Sequence, residues 1–464
     1  MSKFHLSRRG LIKTSAAAGI GLAAPTIFTS QMAAAQFTNA PTGSSVTFGF
    51  NVPQSKAYAD EGADELRAQK LAVEHINGEG DGGMLNTFTS KSLRGNGVLG
   101  KNVEYVTGDT ATSADVARAS AKSMIEKDGA IMINGGSSSS VAIAVQGLCQ
   151  EAGLIFMAGL THSNDTTGKD RRRNGFRHFF NTEMSGAALA PILKNSFGTD
   201  RKAYHITSDY TWGWSQVGSM KTYTEGMGWE TVEEVLSPPN FTGDFASYIA
   251  PVLNSGADTL ILNHYGKDMV NSLTAAVQFG LRDATANGKK FEIIVPLYSR
   301  LMASGAGRDN VKGVLGSTNW HWSLAQGFTT PQGQVVDPDP ASAAFVKSFG
   351  EKYGQPPSQA AHTCYVQTLL YADAVERAGS FNPCAVVEAL EGFEFDGMGN
   401  GPTLYRAEDH QCFKDVLVVR GKENPDGPFD LLEVVEVTPR AQVEYAVDHP
   451  DFQGGDLGSC NSGA

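Results

Sequence analysis

Four consecutive serines, Ser137–Ser140, follow a glycine pair at the end of the apolar stretch Ile131–Asn134 and precede an apolar run at helical spacing. A strand that breaks at glycines into a hydroxyl-rich helix start aims free N–H groups and the positive end of the helix dipole at one point, which suits an anion. Serine is equally a good N-cap, so the run alone serves either purpose. Thr161 ends the next strand, within Met157–His162 (MAGLTH). Hydroxyls at the carboxyl ends of successive parallel strands converge on one crevice, which favours the anion reading. The other chemistry open to such serines is nucleophilic, with His162 or His178 as base in a serine hydrolase. Against it, the GxSxG elbow is missing and a serine that caps a helix has its hydroxyl engaged.

Aromatic residues form a second set. Ser208–Trp214 (SDYTWGW), Tyr265 and Tyr298 each follow an apolar strand in three successive units. One such cluster is ordinary packing, whereas three at equivalent positions line one wall of a crevice.

The elements that must place these residues alternate. Strands at Val46–Phe50, Val103–Val106, Ala130–Asn134 and Leu154–Met157 are separated by helical patterns at Glu61–Asn77, Thr112–Lys127 and Val141–Ala152. A second series begins at Lys202, with strands at Ala203–Thr207, Thr231–Leu236, Thr259–Asn263 and Phe291–Val295. Strands that alternate with helices, without hairpin signals, predict α/β architecture with two doubly wound parallel sheets. Gly78–Gly83 (GEGDGG) fits GxGxxG but follows a helix, where a dinucleotide fingerprint must follow a strand, and it reads as a helix stop and loop. No other cofactor motif is present, and no CxxC or paired-histidine spacing points to a metal.

With 464 residues and 52 glycines, the chain suits two lobes better than one core. Its net charge of -12 has no basic block beyond Arg171–Arg173, read as solvated charge, and so excludes a nucleic-acid surface. Residues 1–35 read as a leader: Ser7–Lys13 (SRRGLIK) fits the twin-arginine export pattern, small apolar residues follow, and Ala33–Ala35 suits cleavage. Export permits disulfides. Of five cysteines, Cys149 and Cys364 sit in apolar helical patterns and read as buried thiols, and among the other three Cys384 is expected to pair with Cys412.

GGSSSSVA (Gly135–Ala142), MAGLTH, DYTWG (Asp209–Gly213), Tyr265 and RAEDHQ (Arg406–Gln411), taken in order, resemble the substrate-binding proteins of ABC importers of the leucine/isoleucine/valine-binding type. The resemblance spans the mature chain and implies the type I periplasmic binding fold. Two lobes, 44–181 with 319–401 and 182–318 with 402–464, are then joined by three crossovers near Asn181, Thr318 and Pro402 and close on a small ligand. It further implies that Ser138 or Ser139 and Thr161 grip a carboxylate, that the Gly159 backbone meets an ammonium group, and that Tyr58 closes the first-lobe side. Trp212 and Tyr265 cover the ligand from the second lobe. A monomer without catalysis or cofactor, held in the periplasm, would deliver an amino acid or other small carboxylate to a permease and ATPase, or would sense it for a membrane receptor.

One departure stands out. Where the family's amino-acid binders place an acid after the fourth strand of the second lobe, this chain has Pro296-Leu297-Tyr298. A buried ammonium without an anionic partner costs several kcal/mol. Asp209 and Asp268 are either substitutes or acids at helix starts. The expected ligand is therefore a carboxylate without an α-amine, or an amide. Trp320-His321-Trp322 at a crossover favours a flat one.

Overall fold

The computed structural model describes residues 37–80, 84–88 and 90–463. The leader and residues 81–83 of the glycine run lie outside the described residues. Strands β1 (Ser45–Val52), β2 (Asn102–Asp109), β3 (Ala130–Gly135), β4 (Ile155–Ala158) and β5 (Gly175–Arg177) form a parallel sheet in the order β2-β1-β3-β4-β5. Strands β3 to β5 are buried throughout, as expected of a sheet covered on both faces.

The second sheet contains β6 (Lys202–Ser208), β7 (Glu230–Ser237), β8 (Thr259–Asn263), β9 (Glu292–Leu297), β10 (Leu315–Thr318), β11 (Val416–Gly421) and β12 (Leu432–Thr438), in the order β12-β11-β10-β9-β8-β6-β7. Five strands are parallel, and the last two add an antiparallel edge to β10. The sequence expectation of a purely parallel sheet missed that edge. Its strands belong to chain that returns from elsewhere, so no strand–helix alternation announces it. Among the described residues no helix is long and apolar enough to cross a membrane.

Asparagines tie the passages between sheets. Asn181 caps the Thr182–Phe197 helix by accepting from the Met184 N–H at 3.0 Å. Asn319 accepts from the Phe180 N–H at 3.3 Å, donates to the Thr363 hydroxyl at 3.0 Å, and offers its carbonyl to Asn400 Nδ2 at 2.7 Å. Trp320, expected to add ligand surface, is instead core. It stacks on His362 at 4.7 Å and donates to the Met398 carbonyl at 3.1 Å.

The pairing of Cys384 with Cys412 is not formed. Cys384 bonds to Cys460, with Cα atoms 5.6 Å apart, while Cys412 is a buried free thiol 3.5 Å from His178 Nδ1 on a strand of a small antiparallel sheet. Cys149 and Cys364 are buried free thiols, as their apolar patterns suggest. The disulfide anchors a tail that runs back over the first sheet: Asn461 donates to the Gln150 carbonyl at 2.7 Å, and the Thr38 N–H donates to Ser462 at 2.9 Å. The arginine run, read as solvated charge, serves the same tail, with Arg171 donating to the Phe452 carbonyl at 3.1 Å. The bridge spans 76 positions, so removing it frees a long loop in the unfolded chain. Cys384→Ser together with Cys460→Ser is expected to cost about 2–4 kcal/mol. Urea denaturation of the double variant checks this, against the wild type with and without reductant.

Candidate functional site

The glycine pair after β3 is required by contact. A Cβ on Gly135 would lie 2.3 Å from the Asn51 carbonyl oxygen, and one on Gly136 2.8 Å from the Phe156 ring. The chain then passes through Ser138 at φ +86°, a left-handed conformation that costs a non-glycine residue about 1–3 kcal/mol and is kept where the surroundings demand it. Ser138 is the N-cap residue of the Ser139–Ala152 helix, yet its side chain caps nothing; its hydroxyl bonds to that of Ser140 at 3.1 Å. The first-turn N–H groups of a helix have no intrahelical acceptors, and here Ser138 and Ser139 of that turn line a cavity.

Ser139 is a hub. Its hydroxyl accepts from Thr161 Oγ1 at 3.2 Å, from the Ser163 N–H at 3.0 Å and from the His162 N–H at 3.3 Å. Thr161 also meets Thr166 Oγ1 at 3.2 Å and is almost wholly buried. Thr161 therefore positions Ser139 and the loop after β4. Arg177, fully buried, fixes that loop from β5, donating to the Ser163 carbonyl, to Thr167 Oγ1 and, at 2.8 Å, to Gln411 Oε1. The RAEDHQ segment is thus a brace, in which Arg406 pairs with Asp409 and Gln411 spans to Arg177 and the Phe179 carbonyl.

Facing the serine turn are rings. Tyr58, Ser138, Ser139, Leu160, His162, Tyr210, Trp212, Tyr265 and Leu297 enclose a cavity of about 10 Å³, the room of a single water. Trp212 donates its indole N–H to His162 Nδ1 at 3.2 Å, and the Tyr58 and Tyr210 hydroxyls bond at 2.7 Å. Tyr265 stands edge-on to Tyr58, with centroids 5.5 Å apart, and to Trp212 at 6.3 Å. Further links across the cleft are Asn164 N–H to Ser215 Oγ at 2.9 Å and Thr211 Oγ1 to Asp165 at 2.6 Å. These bonds hold the cleft shut.

Electrostatically the cleft is dry. Burial lowers the pKa of His162 well below the ordinary histidine value, with the Arg177 charge adding to the effect, so the imidazole is neutral and accepts from Trp212 through Nδ1. Burial also raises Tyr58 and Tyr265 well above ordinary tyrosines. Among the described residues neither the His162 nor the His178 imidazole bonds to a serine hydroxyl: the first ring meets Trp212 and the second Cys412. The pair that a serine nucleophile needs is not assembled. No group of three His, Cys, Asp or Glu that could hold a metal occurs among the described residues.

Of the residues singled out from sequence, Tyr58, Ser138, Ser139, Trp212 and Tyr265 meet at the cavity, and Thr161 stands one layer behind. The Gly159 N–H is taken by the Gly135 carbonyl at 2.7 Å, and its own carbonyl by the Thr161 N–H at 3.0 Å. Asp209 is exposed and holds the Trp214 indole at 3.0 Å, away from the cavity. Tyr298, directly after β9, is fully buried and does not line the cavity. Asp268 accepts from the Asn240 and Phe241 N–H groups at 2.8 and 3.0 Å, and burial raises it to about 6. Neither aspartate replaces the missing acid. Glu61 and Glu65 escaped the sequence reading, although two acids one helical turn apart in the core stripe of a helix were a signal.

Comparison with known proteins places this arrangement. A family described as periplasmic binding protein matches residues 45–427. The chain belongs to the periplasmic binding protein family. No curated protein matches it. Among solved structures, a periplasmic binding protein from Burkholderia mallei has a TM-score of 0.73 at 21% identity, covering 90% of this chain and 99% of that one. An amino acid ABC transporter substrate-binding protein from Pseudomonas fluorescens Pf-5 has a TM-score of 0.70 at 23% identity, covering 86% and 96%. A solute-binding protein of an ABC transporter from Rhodopseudomonas palustris BisB5, in complex with 3,4-dihydroxybenzoic acid, has a TM-score of 0.71 at 19% identity, covering 86% and 98%. The fold of this periplasmic binding protein is therefore the two-lobed α/β one, and the family implies a periplasmic location.

Proposed function

We propose that this periplasmic binding protein captures a small amino acid or other small carboxylate between its lobes and delivers it to the permease and ATPase of an ABC importer. The observation that carries the reading is the juxtaposition of the helix start at Ser138–Ser140, with Ser138 in a strained backbone, and an aromatic wall from the other lobe. A carboxylate is received by the free N–H groups and the Ser138 and Ser139 hydroxyls, with Thr161 holding Ser139 in place. Tyr58, Tyr210, Trp212 and Tyr265 cover the rest of the molecule. The protein acts as a monomer that performs no catalysis, reaching the periplasm by the twin-arginine route. Related structures named for amino acids and for a dihydroxybenzoic acid support both ligand types.

The test is binding. A thermal-shift screen over branched, aromatic and short-chain carboxylates, amino acids and amides finds the ligand, because a solute bound only to the folded state raises the melting point. Thr161→Ala, or Ser138→Ala with Ser139→Ala, is expected to weaken that ligand by about 1–3 kcal/mol through lost hydrogen bonds to a charged group. Calorimetry showing unchanged affinity for both variants would refute the assignment.

A further inference from the structure

The acid missing from the second lobe has a counterpart in the first. Glu61 and Glu65 lie one turn apart on the Ala59–Ile76 helix, which begins directly after Tyr58, and both are buried. Their neighbour Asp64 has cations, Arg67 at 3.3 Å and Arg300 at 3.6 Å. Among the described residues Glu61 and Glu65 form no ion pair. Glu65 Oε1 accepts from the Ser137 hydroxyl, the Leu160 N–H lies by the carboxyl, and Oε2 lacks a hydrogen bond of good geometry. Ser137 directly precedes the Ser138–Ser139 turn, so this carboxyl is fastened beside the carboxylate cradle.

Independent groups converge on the same spot from other elements. Tyr265 lines the cavity, and its fully buried hydroxyl lacks a hydrogen bond of good geometry; Glu61, Glu65, Ser299 and Gln359 surround it. Gln359 fixes its own orientation by accepting from Thr318 Oγ1 and the Asn319 N–H, both at 2.7 Å, and its Nε2 lies by the Tyr265 hydroxyl without a hydrogen bond of good geometry. Glu65 Oε2, the Tyr265 hydroxyl and Gln359 Nε2 are thus buried with hydrogen-bonding capacity unused beside the cavity that Tyr265 lines. Neither Glu61 nor Glu65 has a cation within ion-pair distance among the described residues, and the aromatic rings of the cavity suit a cation brought by a ligand.

We infer that Glu65, with Glu61 beside it, receives the protonated amine of a solute whose carboxylate lies on the Ser138–Ser139 turn. The inference rests on the solute-binding reading above and reverses the sequence expectation of a ligand without an amine. The charged groups facing the pair are Asp60 and Asp64 on its own helix, Arg300 across the cleft, which Asp64 already engages, and exposed Lys267. Desolvation leads in raising both carboxyls, to about 8. Near neutral pH they are largely protonated until a cation arrives, and binding an amine expels a proton to solvent. Both ends of the solute then belong to the first lobe, which can load it before the aromatic lobe closes.

The experiment compares L-leucine and L-phenylalanine with their deaminated analogues, 4-methylpentanoate and 3-phenylpropanoate, by calorimetry at pH 7 in phosphate and in Tris. At least one amino acid is expected to bind 10-fold or more tighter than its analogue, on the scale of one charged hydrogen bond. Its binding should release up to about one proton, fading above about pH 9. Glu65→Gln should abolish both the preference and the proton release; Glu61→Gln should reduce them. Equal or weaker binding of the amino acids, no difference between buffers, or a preference that survives in E65Q would overturn the inference alone. Absence of binding by all four compounds and by the wider screen would overturn the solute-binding reading together with it. The wild-type comparison decides the matter even if a variant fails to fold.

Discussion

Asp64→Asn is expected to destabilise the folded protein by roughly 3–5 kcal/mol, because it strips the counter-charge from a cation that cannot reach water. Arg300 begins the Arg300–Ala306 helix after β9 in the second lobe, while Asp64 sits on the Ala59–Ile76 helix of the first. Their side chains are 3% and 0% exposed at 3.6 Å, so the pair crosses the cleft in a dry setting. Among the described residues Arg300 Nε and Nη2 make no hydrogen bond, and burial lowers its pKa. The pair is therefore poorly compensated, and desolvation consumes much of its attraction. Two outcomes follow. The single variant suffers, since Asp64 also accepts from the Ser358 N–H at 2.9 Å. Adding Arg300→Met to Asp64→Asn should recover a substantial part of the loss, because an apolar side chain of similar length needs no partner. A double-mutant cycle by urea denaturation measures both. If the double variant is as unstable as the sum of the singles, charge compensation across the cleft is refuted. Because the pair links the lobes, the single variant should also favour the open form, visible as a larger radius of gyration in solution scattering.

Stability should peak near pH 6.5 and fall steeply on the acid side. Six buried histidines, His162, His178, His205, His264, His321 and His362, are lowered by burial, three of them to about 3. Between about pH 3 and 6.5 the unfolded chain binds protons at these sites and the native state does not. Stability therefore rises with pH through that window, each group adding up to about 1.4 kcal/mol per pH unit. Glu61 and Glu65 work in the opposite sense. Raised from 4.5 to about 8, they hold protons in the native state that the unfolded chain has lost, so stability falls as pH rises from 4.5 to 8. Asp268, raised to about 6, and other part-buried carboxyls with raised pKa values join the two glutamates on the acid side, where the six histidines outweigh them. Above pH 6.5 the glutamates lower stability and Lys414, lowered to about 7 by burial, offsets part of the loss, so the decline is shallower. Melting temperatures from pH 4.5 to 9 trace the curve. A plateau across pH 5–8 would contradict the burial of these groups. An amine-bearing solute should flatten the alkaline limb, since it supplies the charge that ionised Glu65 lacks.

Much of this was legible before any coordinates. Alternation of strand and helix from Val46 onward prescribed a doubly wound sheet, since a strand followed by a helix can return only as a parallel neighbour. The carboxyl ends of those strands then had to carry the site. Hence the Ser137–Ser140 run and the aromatics after strands of the second series could be named from local pattern, and the resemblance to a known family narrowed them to Ser138, Ser139, Trp212 and Tyr265. Tyr58 came from the resemblance to a known family. All five line the cavity.

What local pattern could not supply was whatever depends on the lobes meeting. Asp209 and Tyr298 obey the same strand-end rule, yet one turns outward to Trp214 and the other is fully buried away from the cavity lining. A strand-end position specifies a region, and packing specifies the direction of the side chain within it. The cysteine partner was undetermined because the tail passes to the other lobe before Cys460 reaches Cys384, and sequence distance carries no record of that path. Glu61 and Glu65 carried no assignment from local pattern, because their burial depends on segments distant in the chain, Ser137 and Tyr265 among them. Local sequence thus determined the sheets, the crevice and the serine-rich helix start, because these depend on contacts within one strand–helix unit. The tertiary structure alone decided which side chains share the crevice and which charges lack a partner, because burial and charge balance arise only where segments distant in the chain come together.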